Sequence, residues 1–351
     1  MPSRPTLPTA DRLLALVDSM AGQPVAMLVD LVADLFITGT PKRISREAPV
    51  LILSYQGEAL IPGGGANAVA NVAALGGRPL PLGVVGEDET GHKLLAELSG
   101  RGVETSGIQV RAGYRTPTKV RILGGGKHSI KQQIVRYDIE DTLSLSGDER
   151  ERFATTLERW RTAGPVPVAI LSDYGYGAVE PDLLPRLRAA LGPETVVVCD
   201  SRFRLGAFVG LDGATPNEEE AEALFGRTFD DDPERLEAGG RELLEKLGAR
   251  FLLITRGSRG MSLFSEEGSV HLPVHGTDQV ADVTGAGDTV IGTFALALAA
   301  GATPLESALL ANYAGGVVVM KMGTATLTPD ELRRAIERDP RPREEMRWER
   351  S

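Results

Sequence analysis

Among 351 residues the chain has a single cysteine, Cys199, and only four histidines. One thiol excludes an intramolecular disulfide and fits a reducing compartment, so a cytoplasmic location is expected. His271 and His275 stand four apart on what reads as a strand, a spacing of about 13 Å that one zinc ion cannot bridge, so no metal cage is indicated. Long apolar runs are also missing, and none nears the roughly 20 residues of a membrane span. The leucines of Asp11–Met20 recur at helical spacing but lack the basic stretch and clean apolar core of a secretory signal. A net charge of −10 argues against nucleic-acid and anionic-membrane partners, which need basic surfaces. It leaves phosphorylated small molecules open, because these require only a few local cations. The Gly-x-x-x-x-Gly-Lys-[Ser/Thr] loop is absent, which excludes a P-loop kinase. The spaced glycines and distant acid of a dinucleotide fingerprint are absent too, which disfavours an NAD-dependent oxidoreductase.

What remains is a chain of ordinary globular composition, 42% apolar and 25% charged, in which short apolar runs alternate with helical patterns. Pro24–Val29, Leu80–Val84, Val168–Leu171, Val196–Cys199 and Phe251–Thr255 read as strands. Gly65–Leu75, Thr90–Ser99, Glu149–Trp160, Pro181–Ala190, Glu218–Leu224 and Pro233–Leu247 read as the helices between them. Apolar runs without alternation indicate a mostly parallel sheet covered on both faces, a doubly wound α/β core. Pro49–Tyr55, Thr118–Leu123 and Gln132–Tyr137 interrupt this rhythm as strands without helices, with Gly124–Gly126 as a turn. They predict a small antiparallel flap inserted in the core, a lid over the strand ends, with lid segments at about 36–56 and 114–138. One domain is expected over 1–328, followed by a C-terminal helix and a loose end over 329–351.

Chemistry concentrates at Asp282-Val283-Thr284-Gly285-Ala286-Gly287-Asp288-Thr289, which enters an apolar helix. The turn Gly285-Ala286-Gly287 offers backbone N–H groups at the positive end of a helix dipole, a place for an anion. Asp288 beside it sits badly as a phosphate contact and well as a general base for a hydroxyl, unless it is only an early-turn acid. Gly63-Gly64-Gly65-Ala66-Asn67 opens the first long helix, where glycines admit a ligand and Asn67 offers a sugar hydroxyl both donor and acceptor, or simply caps the helix. Asp30 and Asp34 follow the first strand. Asp34 is the better candidate for vicinal hydroxyls, and Asp30 reads as a solvated loop acid. Lys119, Arg121, Lys127, Lys131 and Arg136 crowd the lid. Lys119 and Arg121 share a strand face and suit a phosphate carried by the substrate, or else form a solvated basic edge. In Thr215-Pro216-Asn217-Glu218-Glu219-Glu220 the acids complement a helix dipole.

The Gly285–Asp288 and Gly63–Asn67 motifs together resemble the signature pair of the ribokinase (PfkB) family of carbohydrate kinases, and the resemblance runs from about Val25 to Thr328. It implies a ribokinase-like fold, ATP and Mg²⁺ as co-substrate and metal, and Asp288 as catalytic base beside Gly285, Ala286 and Gly287. It further implies Asp34, Gly64, Gly65, Asn67, Lys119, Arg121, Arg136 and Asp173 as substrate contacts. Asn217, Asp200, Arg256, Gly257 and Asn312 would meet ATP, with Glu220 reaching the metal through water. Lid strands of the family often pair between subunits, so a homodimer is expected.

Within the family the chain is most similar to the kinases of lipopolysaccharide heptose precursors, which phosphorylate C1 of D-glycero-β-D-manno-heptose 7-phosphate. The residues that carry this likeness include Arg43-Ile44-Ser45-Arg46-Glu47-Ala48-Pro49-Val50, Gln133-Ile134-Val135-Arg136-Tyr137-Asp138 and Leu171-Ser172-Asp173-Tyr174-Gly175. Three departures stand out: Tyr176 replaces the usual Lys, Leu35-Phe36 replaces Arg-Tyr, and the lid turn is unusually rich in glycine. The His-x-Gly-His loop of a nucleotidyltransferase is missing from the sequence, so phosphorylation alone is expected. Another sugar or nucleoside kinase of the same fold, or a non-catalytic relative, are the alternative readings.

Overall fold

The computed structural model describes residues 7–126, 131–230, 232–276 and 281–350. Its main sheet has ten strands, and the order is best followed from the centre. Pro24–Val29 lies between Val168–Asp173 and Arg78–Gly86 and is parallel to both. The chain first builds outward through Arg78–Gly86 to Ile108–Arg111, then returns to the other side. There it adds Val168–Asp173, Val196–Ser201, Gly213–Ala214 and Phe251–Thr255, all parallel. The reversal of direction occurs beside Pro24–Val29, which makes the carboxyl ends of this strand and of Val168–Asp173 the place where an open α/β sheet takes its ligand.

Both faces of the sheet are dry. Val25, Met27 and Val29 pack into one apolar cluster, with the helices Gly65–Ala74, Ala286–Ala299 and Pro304–Val318. Ala26 and Leu28 pack into the other, with Gly147–Ala163, Leu184–Leu191 and Pro233–Leu247. This two-sided burial is why the central strands read as apolar runs without alternation.

Three antiparallel strands extend the sheet: Met261–Ser265, Gly268–Leu272 and Arg347–Arg350. The last corrects the expected loose end, because after the helix Pro329–Arg338 the tail pairs with Gly268–Leu272 and Trp348 packs on the core. His271 lies on a strand as expected, and His275 lies beyond its end.

The expected flap is a separate four-stranded sheet in the order Leu51–Gly64, Leu31–Ile44, Thr118–Gly124, Gln132–Ile139. Its two outer pairs are antiparallel. Its two central strands run parallel, because the chain passes through the core before returning to pair Ala33 with Thr118. Leu31–Ile44 was not expected as a strand, and it places Asp34 within the lid sheet rather than in a loop. Lys127 lies outside the described residues, and Lys131 is exposed.

Candidate active site

The carboxyl ends of the central strands, the first turn of Ala286–Ala299 and the inner face of the lid enclose a cleft of about 660 Å³. Asp34, Gly64, Lys119, Arg121, Arg136, Asp173, Asp200, Asn217, Glu220, Gly285, Gly287 and Asp288 all line it, residues drawn from every part of the chain. A smaller, mostly apolar pocket of about 180 Å³ adjoins it and shares Thr255, Val283 and Gly287. Gly257, Met261, Val274, Ala286, Val290 and Asn312 are among its walls.

Gly285 precedes Ala286–Ala299 with φ 77°, the left-handed region, and no side chain caps the helix. The Ala286 N–H bonds to the Val283 carbonyl at 3.2 Å, while Gly285, Gly287 and Asp288 line the cleft at this helix N-terminus, a position that suits an anion. Asp288 projects from this turn and is 2% exposed. Its Oδ2 accepts from Asn67 Nδ2 at 3.0 Å and its Oδ1 from the Tyr174 hydroxyl at 2.7 Å. Burial pushes its carboxyl up to about 7, against the opposing pull of those two donors and of Lys119.

Asn67, expected to face the sugar, is instead spent within the protein. Its Nδ2 also donates to the Gly285 carbonyl at 3.2 Å, and its Oδ1 accepts from Asn71. It is 1% exposed, because it lies in the first turn of Gly65–Ala74, where that helix packs on Ala286–Ala299. A Cβ at Gly285 would lie 2.5 Å from Asn67 Nδ2, so only glycine lets the two motifs close on each other. Gly65 lets the start of its helix close on the end of Pro24–Val29, since a Cβ there would lie 2.6 Å from that of Val29.

Asp34 is held from two sides. Arg121 Nη1 donates to its Oδ1, and Thr324 donates to Oδ2 at 2.8 Å. Arg121 also stacks over the ring of Phe36 at 5.3 Å. Arg136 forms an ion pair with Asp138 at 2.6 Å. Lys119 and Arg202 line the cleft without an ion pair among the described residues, and burial lowers the ammonium pKa of Lys119. Arg202 was not expected. Its only sequence signal is its position directly after Val196–Ser201, at a strand end of a parallel sheet.

Other residues differ from expectation. Asp30 is 1% exposed rather than solvated: its carboxylate accepts from the N–H groups of Tyr174, Tyr176 and Ala178. Asp173 is tied to Arg204, Ser201 and the Gly175 N–H. Asn217 and Glu220 form a reciprocal capping box on Glu218–Phe225, so the cap accounts for their mutual bonds. The Arg256 guanidinium pairs with Glu218 at 3.3 Å, and Arg256 lines neither pocket. Gly257 and Asn312 do line the small pocket, with Asn312 Nδ2 donating to the Pro273 carbonyl. Asp200 is raised well above the usual carboxylate range by burial and by Glu220, Asp288 and Asp173, and Glu220 is raised as well.

A model of the pfkB family of carbohydrate kinases matches residues 39–144 and 207–331. The chain belongs to the pfkB carbohydrate kinase family. It is 39% identical over 342 residues to the bifunctional protein HldE of Mesorhizobium japonicum, covering 95% of this chain and 66% of that protein. The HldE of Pseudomonas aeruginosa is 36% identical over 318 residues, 90% of this chain and 64% of that protein. The chain thus spans a little under two thirds of these relatives. The fold is similar to phosphofructokinase-2 from Escherichia coli in complex with substrates and products, with TM-score 0.70 and 18% identity over 90% of this chain and 98% of that one. It is equally similar to Arabidopsis thaliana ribokinase complexed with ribose and ATP, with TM-score 0.70 and 21% identity over 91% of this chain and 100% of that one. As a pfkB carbohydrate kinase, the chain is an enzyme that phosphorylates a sugar. No helix among the described residues is long and apolar enough to cross a membrane.

Two buried acids, Asp288 in the cleft and Asp30 beside the loop after Val168–Asp173, set a pH dependence of stability. Asp288, at about 7, and Asp30, at about 6, hold protons that an unfolded carboxyl has released by about pH 5. Their stabilising contribution is complete below about pH 4 and is lost as pH rises through about 7. Carboxyls lowered in the fold, such as Asp282 and Glu306, act only below about pH 5 and do not oppose this trend. Free of ligands and divalent cations, the protein should melt lower at pH 8 than at pH 5.5 by roughly 5 °C. A melting temperature that rises over this interval in differential scanning calorimetry would contradict the assignment.

Proposed function

We propose that the chain transfers the γ-phosphoryl group of ATP to the C1 hydroxyl of D-glycero-β-D-manno-heptose 7-phosphate, giving the 1,7-bisphosphate and ADP. The observation that carries this reading is the make-up of the cleft: the buried Asp288 carboxyl at a helix-opening turn, with Lys119 and Arg202 lining the same cleft without an ion pair among the described residues. Similarity to the HldE proteins over most of the chain supports the same substrate class.

Asp288 takes the proton of the C1 hydroxyl while that oxygen bonds to the γ-phosphorus and the bond to the β-γ bridging oxygen breaks, releasing ADP. The N–H groups of the Gly285–Asp288 turn stabilise the charge spread over the phosphoryl oxygens. Asp34, aligned by Arg121 and Thr324, accepts hydroxyls of the sugar beside Gly64. Lys119 and Arg202, with Arg136 at the rim, hold the distal phosphate. The apolar pocket by Gly257 and Asn312 takes the adenine, and Asp200 and Asn217 lie along the phosphate path.

Asp200 and Glu220 line the same cleft; burial raises both carboxyls and the charge of Glu220 raises Asp200 further, which fits a hard dication such as Mg²⁺, with Glu220 holding it through water. When bound, Mg²⁺ neutralises the phosphate charge that these acids would otherwise repel. ATP supply places the reaction in the cytoplasm. The lid sheet leaves Ile44, Leu51, Tyr55, Ile134, Val135 and Tyr137 exposed, which supports pairing of two copies through this face. A monomeric sedimentation coefficient at micromolar concentration would contradict that pairing.

Phosphorus NMR of the product should show a new anomeric phosphate beside the original one, formed only with ATP and Mg²⁺. A preference for unphosphorylated sugars, or a phosphate away from C1, would sink the heptose assignment and leave the sugar kinase. Lys119→Gln combined with Arg202→Gln should raise KM for the sugar phosphate on the order of tenfold or more and change KM for ATP much less. Equal effects on both substrates would show that these cations do not hold the distal phosphate.

A further inference from the structure

The hydroxyl of Tyr174 is fixed more firmly than a chance contact requires. The Tyr174 N–H donates to Asp30 Oδ2 at 2.8 Å, and the Tyr176 and Ala178 N–H groups bind the same carboxylate at 2.9 Å each. Asp30 thus ties the loop after Val168–Asp173 to the end of Pro24–Val29. The ring lies against Gly64, where a Cβ would come within 3.3 Å of Tyr174 Cε2, and Lys119 Nζ sits 5.3 Å from the ring centre. From this seat the hydroxyl donates to Asp288 Oδ1 at 2.7 Å, while Asn67 binds Oδ2.

We propose that Tyr174 is the positioning residue of the base: with Asn67 it pins the plane of the Asp288 carboxylate, one donor to each oxygen, so that a free lone pair meets the substrate hydroxyl. This rests on Asp288 being the base. The charged and titratable groups facing Asp288 are Lys119 and Asp34 from the lid, Asp200 from the neighbouring strand and Tyr174 itself, with Arg202 facing Tyr174. Burial and the nearby Asp288 raise the Tyr174 phenol well above its ordinary value, so it remains a donor throughout the working range of the enzyme. A donor to the ionised form favours that form. Its loss therefore shifts proton uptake by Asp288 to higher pH.

Tyr174→Phe keeps the ring beneath Lys119 and removes only the donor. The acid limb of kcat/KM should move to higher pH by about one unit, and kcat at pH 7 should fall on the order of tenfold, with KM for ATP little changed. Replacing Tyr174 by 3,5-difluorotyrosine keeps the hydroxyl and makes it more acidic, so the limb should move the opposite way. This second variant carries the test alone should Tyr174→Phe fail to fold. Unmoved limbs in folded variants would overturn the positioning role and leave the base assignment intact. Asp288→Asn distinguishes the two: its loss of turnover is expected, on the order of 10²-fold or more. Turnover within a few-fold of wild type would overturn the base assignment and, with it, this one.

Discussion

A carboxylate nearly sealed from water, and gripped by one donor on each oxygen, is the constraint around which this chain is organised. Asp288 can occupy that position only if two helices approach closely enough for Asn67 to reach it. Small residues permit the approach. Gly65–Ala74 is built largely of Ala, Gly and Asn, and a Cβ at Gly292 on the facing helix would lie 3.3 Å from the Ala68 carbonyl oxygen. Thr289 closes the seam by donating to Asn71, which in turn donates to Asn67. The two glycine-rich motifs are thus one device, with residues more than 200 positions apart bonded to each other.

The electrostatics follow from the same burial. Acids outnumber bases in the chain as a whole, and several converge at the strand ends, where they are raised rather than stabilised. Such an arrangement costs folding stability and makes chemical sense when a cation and a polyanion arrive together. The bases of the cleft divide by partner: Arg121 pairs with Asp34 and Arg136 with Asp138, while Lys119 and Arg202 line it without an ion pair among the described residues.

Much of this was legible in the sequence. The strands Pro24–Val29 and Phe251–Thr255 and the helix Pro233–Leu247 agree with expectation to the residue, because buried parallel strands and amphipathic helices write their burial into local pattern. Leu31–Ile44 escaped notice because it starts buried, ends exposed and contains Pro41. That proline is tolerated because it lies beyond Gly39, the last residue paired with Thr118–Gly124, where the strand has a neighbour on one side only. The motifs located Asp288 and its turn. They did not reveal that Asn67 and Tyr174 bond to Asp288 from other elements, or that Arg202 lines the cleft. Those contacts are set by the order of strands in the sheet, which no local spacing records.

The central claim is that Asp288 must lose its proton for the reaction, and that its burial places this loss near neutrality. The most direct test is the pH dependence of kcat/KM for the wild-type enzyme with its sugar phosphate, which reports the free enzyme's essential base. The account predicts a single acid limb centred at about 7, with activity falling about tenfold per unit below it. A profile that stays flat from pH 8 to about 5.5, in a protein still folded at the lower end, would contradict it.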